Sequence, residues 1–257
     1  MPKYFVNPED IDVKNRRVAL CGENAKHLIT TLRVRCGDQI VVCDGQCIDY
    51  YCEIAEISSG KNKQCILTII SEHPVLEPQL DITLYQALPK SNKMEYIIQK
   101  CVEMGIYSIV PIYTDNSSIK EISQSKMTRY RKISEAAAKQ SMRGFIPHIS
   151  EPLALEQAIT ASAQKALVFA PYENERQVSL KDLLLKNDLA RISSAAFFIG
   201  SEGGFSDREI DMLTRANISR ISLGARILRT ETAGFAILTI LMYLGNELSL
   251  NRSERDR

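Results

Sequence analysis

The sequence has few of the side chains that bind metal ions, and those it has are poorly spaced. Its three histidines are scattered, and none of its seven cysteines forms a Cys-x-x-Cys pair. Because a zinc site needs ligands clustered at such spacings, we predict no metal site. Six of the cysteines fall within the first 65 residues. We expect all seven to be reduced thiols that pack as small, buried apolar side chains.

Long apolar segments are also absent. The N-terminal stretch MPKYFVNPEDID lacks the apolar core of a signal peptide. The longest apolar run, from Ala233 to Gly245, is too short for a convincing membrane span. Hydrophobic residues make up 45% and charged residues 25% of the chain, which is typical of a soluble globular protein. We therefore expect a cytoplasmic protein without a membrane partner.

The net charge is only +1, but it is unevenly distributed. Residues 90–143 hold ten basic and five acidic residues, whereas the rest of the chain is close to neutral. A local surplus of this kind is what a face that binds a polyanion requires. A solvated helix surface would show the same surplus, so charge alone leaves both interpretations open.

The first part of the chain has the pattern of a small β domain. Short runs such as RRVAL, DQIVVCDG, CIDYYCEIAEI and QCILTII alternate with turn signals, and one helical segment, ENAKHLITTLRV, interrupts them. The following stretch, EHPVLEPQLD, has two prolines and no strong periodicity, which is typical of a linker. We predict a β domain over residues 1–72 and a linker over residues 73–80.

The second part alternates strands with helices. Apolar runs such as ITLYQAL, SIVPIY, KALVFAP, AAFFIG and RISLG predict strands, and the segments between them predict helices. One of these is a long basic helix from about Ser125 to Arg143. The alternation predicts an α/β domain over residues 81–250, with a parallel sheet covered by helices on both faces. Residues 251–257 form a charged tail.

A glycine-rich loop, IGSEGGFSDREI, follows one of these strands. Ser206 and Glu209 form the capping box of the next helix, so the loop lies at the edge of the sheet where α/β proteins bind ligands. It matches neither the P-loop nor the dinucleotide fingerprint. Its central residue, Glu202, would repel a phosphate. A tight turn that needs glycine for its backbone angles is the alternative explanation.

A second segment, LGARILRTETAGFAILTIL, places an arginine in an unusual position. Arg229 lies between an apolar elbow and a helix that is apolar nearly all round. That helix is therefore buried in the core or in a subunit interface. An unpaired buried charge is costly, so Arg229 needs a partner. We expect either a structural ion pair, with Glu202 or Glu231, or a substrate.

Together these segments resemble a known family. The stretches KHLITTLRV, CDG, QALPKSNKMEYIIQKCVEMGIYSIVPI, RYRKISEAAAKQSMRGFIPHI, IGSEGGFSDREI and LGARILRTETA are similar to those of the small-subunit (16S) ribosomal RNA uridine-N3 methyltransferases of the SPOUT superfamily. Their order and spacing cover nearly the whole chain. One departure is Ser201, where the family commonly has proline; this change could loosen the loop.

The resemblance implies a specific fold and set of partners. The expected fold is a PUA-like RNA-binding β-barrel followed by a SPOUT-type, trefoil-knotted parallel sheet with helices on both faces. The expected cofactor is S-adenosyl-L-methionine, and the expected partners are 16S ribosomal RNA in the small ribosomal subunit and a second copy of the chain. S-adenosylmethionine carries a sulfonium cation rather than a phosphate, which suits Glu202 in the glycine loop.

The resemblance also assigns a cofactor pocket. It combines the end of the KALVFAP strand, the glycine loop and the segment before the final helix. Its predicted residues are Phe169, Ala170, Gly200, Ser201, Glu202, Gly203, Gly204, Leu223, Gly224, Ile227, Leu228 and Thr232.

Transfer of a methyl group to N3 requires the uridine imide to lose its proton, so a base or a nearby cation would help. We assign the cation to Arg229, with Glu202 or Glu231 orienting it or accepting the proton. RNA binding is assigned to basic and polar residues of both domains. These are Arg33, Arg35, Lys90, Lys93, Lys100, Arg129, Arg131, Lys132, Lys139, Gln140 and Arg143.

Two other functions remain open. A SPOUT ribose 2′-O-methyltransferase would use the same cofactor and fold. A catalytically silent RNA-binding or ribosome-assembly factor would need neither, and the intact Gly203, Gly204 and Arg229 argue against it.

Overall fold

The structure is a computed structural model that describes residues 1–60, 62–187 and 191–249 of the 257-residue chain. The predicted charged tail, residues 251–257, lies outside these residues. The chain divides into two compact units. The first consists of Met1–Glu77 and Ala138–Ile146, and the second takes Pro78–Ala137 and the described residues from Pro147 onward. Ala138–Ile146, hereafter the returning segment, makes the first unit discontinuous, which the continuous sequence-based boundaries do not anticipate.

The first unit is built on a six-stranded mixed sheet. Its strands are β1 (Lys3–Phe5), β2 (Ile11–Asp12), β3 (Arg17–Leu20), β4 (Gln39–Cys43), β5 (Ile48–Ser58) and β6 (Gln64–Pro74). The order is β1-β4-β5-β6-β3-β2, in which β1 pairs parallel with β4 and the other neighbours are antiparallel. Helix α1 (Gly22–Lys26) continues into a π-helical turn, His27–Leu32, inside the predicted helical segment.

The core of this unit contains two of its cysteines. Cys52 and Cys65 are fully buried in one cluster with residues such as Leu28 and Ile54. Burial raises the pKa of the Cys52 thiol to about 12, so it stays protonated and unreactive. All seven cysteines are free, as expected, but Cys21 and Cys36 are exposed rather than buried.

Buried polar contacts hold the returning segment to the rest of the first unit. The Arg143 guanidinium is 6% exposed, and its Nε donates to Glu77 Oε2 at 2.7 Å. Cys47 donates its backbone N–H to Gly144 O at 3.0 Å. A Cβ on Gly144 would lie 2.9 Å from both Cys47 Cα and Val75 Cβ, so only glycine allows this approach. The predicted basic helix therefore ends at Gln140 rather than at Arg143.

The second unit contains the predicted parallel sheet. Its strands are β7 (Asp81–Ala87), β8 (Ser108–Tyr113), β9 (His148–Ile149), β10 (Leu153–Ala154), β11 (Leu167–Pro171), β12 (Ser194–Ile199) and β13 (Ser219–Ile221). The order is β10-β8-β7-β12-β11-β13, with β9 also beside β8, and every pairing is parallel. The short strands β9 and β10 had not been expected.

Helices cover both faces of this sheet, as predicted. They are α2 (Lys93–Glu103), α3 (Gln124–Gln140), α4 (Leu155–Ser162), α5 (Leu180–Lys186), α6 (Asp207–Arg215) and α7 (Thr230–Leu244). On one face, α4 and α6 pack on a cluster that includes Tyr85 and Phe198, whose rings stack 4.6 Å apart. On the other, Gly234 of α7 lies against Leu84 and Ile199. Alternate residues of each strand thus face different helices.

The final helix is too short to span a bilayer. Across the described ranges, we find no helix with the length and hydropathy that a membrane crossing requires. The apolar residues of α7 instead serve packing, since Ile237, Leu238 and Leu241 are fully buried.

We predict that Glu77→Ala destabilises the protein by about 3–5 kcal/mol, because it leaves the Arg143 guanidinium buried without its carboxylate. Glu72→Ala is the matched control, since Glu72 is exposed near the end of β6. Chemical unfolding followed by circular dichroism measures both. A Glu77→Ala loss no larger than that of the control would show that the pair does not hold the returning segment.

Candidate functional site

A cavity of about 900 Å³ opens at the C-terminal edge of the parallel sheet. Its wall is formed by the segments that follow β11, β12 and β13, together with the start of α7 and one side chain of α2. The edge where parallel strands end is the usual ligand position in open α/β sheets. The lining residues are Lys93, Pro171–Glu173, Arg176, Ile199–Phe205, Ser222–Thr230 and Ala233.

The glycine loop after β12 is folded back on itself. A Cβ on Gly200 would lie 3.0 Å from the Cα of Gly204. Gly204 has φ +65°, and a Cβ there would lie 2.8 Å from Glu173 Oε1. Both positions therefore need glycine. Ser201, where the resemblance leads us to expect proline, keeps the turn closed because its carbonyl accepts the N–H of Gly204 at 3.0 Å.

Polar contacts hold the far end of this loop. The predicted capping box is present: Ser206 Oγ accepts the N–H of Glu209, and Glu209 Oε2 accepts the N–H of Ser206. The other oxygen of the buried Glu209 carboxylate accepts the N–H of Asp115 at 2.7 Å. Asn116 Nδ2 donates to Gly203 O at 2.8 Å. The segment after β8 thus fixes the position of the loop after β12.

The near end of the loop is tied to the start of α7. Thr230 Oγ1 donates to Gly200 O at 2.7 Å and accepts Gln86 Nε2 at 2.9 Å. Thr230 and Gln86 are both buried, and Gln86 also donates to Ala87 O. These bonds connect the end of β7, the glycine loop and the first residue of α7.

A lysine lies between the two carboxylates that the sequence had singled out. Lys93 Nζ is 2.9 Å from Glu202 Oε1 and 3.4 Å from Glu231 Oε2. The backbone N–H of Lys90 donates to both oxygens of Glu202 at 3.2 Å. Partial burial acts to raise the pKa of Glu202, but the hydrogen bonds from Lys93 and from backbone N–H groups prevail and hold it below its usual value. Glu202 is therefore ionised at neutral pH.

Of the two kinds of partner predicted for Arg229, the ion pair is not observed. Glu202 and Glu231 contact Lys93 instead, and among the described residues the Arg229 guanidinium makes neither a hydrogen bond nor a salt bridge. Arg229 is also exposed rather than buried, because it precedes the first turn of α7 and points to the cavity edge. A free guanidinium in a ligand cavity is available to an incoming substrate.

Most of the predicted cofactor residues line the cavity, but three do not. Phe169 and Ala170 are fully buried inside the sheet, since β11 continues to Pro171. The cavity wall therefore begins at Pro171, two residues later than expected. Thr232 is exposed on the outer side of the first turn of α7. The predicted residues that do line the cavity are Gly200, Ser201, Glu202, Gly203, Gly204, Leu223, Gly224, Ile227 and Leu228.

Sequence reasoning missed several lining residues. Tyr172, Glu173 and Arg176 belong to the loop after β11, whose path the strand pattern does not define. Because the predicted strand KALVFAP already ends at Pro171, the available signal was the segment that follows it. Within the described part of the chain, no group of three or more His, Cys, Asp or Glu side chains is arranged to hold a metal ion.

The predicted RNA-binding residues fall into three groups. Two of them do not lie on the open surface: Arg143 is buried against Glu77, which opposes its predicted contact with RNA, and Lys93 lines the cavity. Lys100 is half-buried beside Glu103, and Lys139 is half-buried with its ammonium 5.5 Å from the Tyr4 ring. The exposed members are Arg33, Arg35, Lys90, Arg129, Arg131, Lys132 and Gln140.

Two of the exposed arginines have acidic neighbours. Arg129 pairs with Glu95 and Arg131 pairs with Glu151, both through solvent-exposed guanidinium groups. Exposed pairs of this kind contribute little stability, so a phosphate can displace them at small cost.

Comparisons with known proteins agree with this geometry. Residues 76–242 match the RNA methyltransferase domain family. The chain is 28% identical over 249 residues to Ribosomal RNA small subunit methyltransferase E of Bacillus subtilis, covering 95% of this chain and 96% of the relative. It is 30% identical over 255 residues to the protein of that name from Buchnera aphidicola subsp. Schizaphis graminum, covering 96% of each. It is also similar to a crystal structure of Ribosomal RNA small subunit methyltransferase E from Neisseria gonorrhoeae bound to S-adenosyl methionine, with TM-score 0.83, 26% identity and coverage of 95% and 98%.

We predict that Thr230→Val destabilises the second unit by about 1–3 kcal/mol, because Gly200 O loses its donor and Gln86 Nε2 loses an acceptor. Thr239→Val is the matched control: it lies on the same helix, and its hydroxyl bonds only to Phe235 O within that helix. Urea unfolding measures both changes. Equal losses for the two variants would show that the bonds to Gly200 and Gln86 add nothing.

Proposed function

The chain belongs to the family of small-subunit ribosomal RNA methyltransferases, which confirms the resemblance seen in its sequence, and from this premise we propose a specific reaction. The protein transfers a methyl group from S-adenosyl-L-methionine to N3 of one uridine in 16S ribosomal RNA of the small subunit. The observation that carries this proposal is the cavity at the sheet edge, with an unpaired arginine beside a lysine-bridged pair of carboxylates.

The charge of one part of the cavity wall suits the proposed cofactor. Glu202 and Glu231 share a single ammonium, so their cluster with Lys93 keeps a formal charge of about −1. Arginines line other parts of the cavity, so it is at this cluster that a sulfonium cation is attracted and a phosphate is repelled. The cofactor supplies the methyl group when bound. The solved relative from Neisseria gonorrhoeae contains S-adenosyl methionine, which supports the same ligand here.

Arg229 is the residue we assign to the uridine. Loss of the imide proton leaves negative charge on the pyrimidine ring, and a guanidinium at the cavity edge can stabilise it. Glu202 is a poor acceptor for that proton, because a lowered pKa makes it a weak base and its oxygens already accept hydrogen bonds. We therefore assign Glu202 to the cationic cofactor, and Glu231 remains the carboxylate candidate for the proton.

RNA binding fits the exposed basic residues of both units. Neutralisation of phosphates by lysine and arginine dominates affinity for RNA and makes it depend on salt. The six-stranded mixed sheet of the first unit supports a PUA-like barrel, and we propose that this unit adds recognition by shape. Such an enzyme works in the cytoplasm, where small ribosomal subunits are assembled.

The strand order of the second unit supports a trefoil knot. Strand β12 lies between β7 and β11, while β13 lies at the edge, and the chain then returns so that α7 packs on β7 and β12. Thr230 meets the glycine loop on this return path. We propose that the final segment threads the loop in the manner of the SPOUT superfamily, a rare exception to unknotted chain paths.

The outer side of α7 supports a homodimer. Ile240, Tyr243 and Leu244 are 39%, 72% and 51% exposed on a helix whose other side is core. Adjacent apolar side chains in water favour association, and we propose that a second copy of the chain covers them.

We predict that the purified protein, given labelled S-adenosylmethionine and unmodified small ribosomal subunits, produces N3-methyluridine. Digestion of the RNA and mass spectrometry of the nucleosides identify the product. A 2′-O-methyl nucleoside would move the activity to ribose. Failure to bind the cofactor would favour an assembly factor instead.

We predict that Arg229→Ala lowers the transfer rate at least about 100-fold, as expected for loss of one charge-stabilising donor, while calorimetry shows cofactor affinity close to that of the wild type. Arg220→Ala is the control, since Arg220 is exposed on β13 and does not line the cavity. Normal turnover in Arg229→Ala would remove Arg229 from the mechanism.

A further inference from the structure

The Lys93 ammonium joins three segments that are distant in sequence. Lys93 is the first residue of α2, Glu202 is the centre of the glycine loop, and Glu231 lies in the first turn of α7. The side chains are 32%, 28% and 17% exposed, so all three are partly shielded from solvent. A single basic residue of α2 therefore contacts both the glycine loop and the start of α7.

We infer that Lys93 is a positioning residue of the methyl-transfer site rather than a ligand of RNA phosphate. Its ammonium keeps both carboxylates in place and occupied, and this leaves Arg229 free to meet the substrate. The inference rests on the proposed function and extends it to a residue of α2.

Two cations compete for the carboxylates of the site. Arg229 and Lys93 both line the cavity, and Glu231 is two residues from Arg229 in the chain. Opposite charges at one cavity attract each other, yet both carboxylates contact Lys93. Without the ammonium, Glu202 and Glu231 would repel each other, and the Arg229 guanidinium would be available to pair with them. Lys93 thus prevents an ion pair that would withdraw Arg229 from the substrate.

The surroundings of Lys93 are unfavourable for a phosphate. A phosphate that approached the Lys93 ammonium would also approach two carboxylates, one of which is fixed by the backbone N–H of Lys90. Arg129, by contrast, is 63% exposed and faces a single carboxylate. The position of Lys93 is therefore unfavourable for RNA and suitable for holding the site.

The test uses Lys93→Gln in the full-length protein, with Lys186→Gln as the matched control, because Lys186 is an exposed lysine of α5 that does not line the cavity. We measure single-turnover methyl transfer to small ribosomal subunits and the salt dependence of RNA binding. Lys93→Gln is expected to lose about tenfold to hundredfold in rate, the size of effect that misplaced catalytic groups cause. The slope of log affinity against log salt is expected to match that of the wild type.

A second variant tests the route through the carboxylates. Lys93→Arg keeps a cation beside Glu202 and Glu231, so this variant is expected to retain most of the wild-type rate. The inference is overturned if Lys93→Arg loses as much rate as Lys93→Gln. It is also overturned if Lys93→Gln turns over normally and its salt slope becomes shallower by about one, which is the mark of a lost phosphate contact.

A measurement that needs no substrate separates this inference from the proposed function. The titration of the Glu202 carboxyl, followed by NMR, is expected to shift to higher pH in Lys93→Gln and to stay unchanged in Lys186→Gln. If the wild type transfers no methyl group, the proposed function fails. An unchanged Glu202 titration in Lys93→Gln, by contrast, overturns the role of Lys93 whether or not methyl transfer is observed.

Discussion

The hydrogen bonds that run from Gln86 through Thr230 to Gly200 fix the spacing of three segments that are far apart in the sequence. Each group in this chain is a buried or partly buried polar atom, so leaving any of them unpaired would be costly. The end of β7, the glycine loop and the start of α7 must consequently keep their mutual distance. Because the hydrogen bonds fix this spacing, the cavity between the segments stays open. The charged side chains of the site lie on these segments or next to them.

The charged side chains of the site form two separate groups. One carboxylate pair is neutralised in part by a lysine and lies where a cationic ligand gains from the remaining negative charge. An arginine at the cavity rim keeps its full hydrogen-bonding capacity. Negative and positive charge thus lie at the same cavity, with both carboxylates in contact with Lys93 rather than with Arg229.

Much of this architecture could be predicted from local patterns. The strands AAFFIG and ITLYQAL, the Ser206–Glu209 capping box and the glycine loop are encoded within a few residues, and their periodicity is sufficient. The partner of Glu202 is different, since Lys93 is more than a hundred positions away and only the packing of α2 beside α7 brings it near. The predicted strand KALVFAP ends at Pro171, as observed, but an apolar pattern does not show that Phe169 and Ala170 are enclosed in the sheet while Pro171 reaches the cavity. The burial of Arg143 is invisible to charge counting, which treats every arginine as solvated.

The discontinuity of the first unit has a consequence for how the protein is made. Glu77 and the sheet that ends at Pro74 are synthesised well before Arg143 and Gly144, which fill the space beside Cys47 and Val75. During translation the first six strands and Glu77 therefore emerge before the residues that fill this space, including Arg143. Domains generally fold from the N-terminus as they emerge, but this one is complete only after more than half of the chain has left the ribosome. A fragment that stops at the linker would therefore carry every strand of the sheet and still lack the piece that closes it.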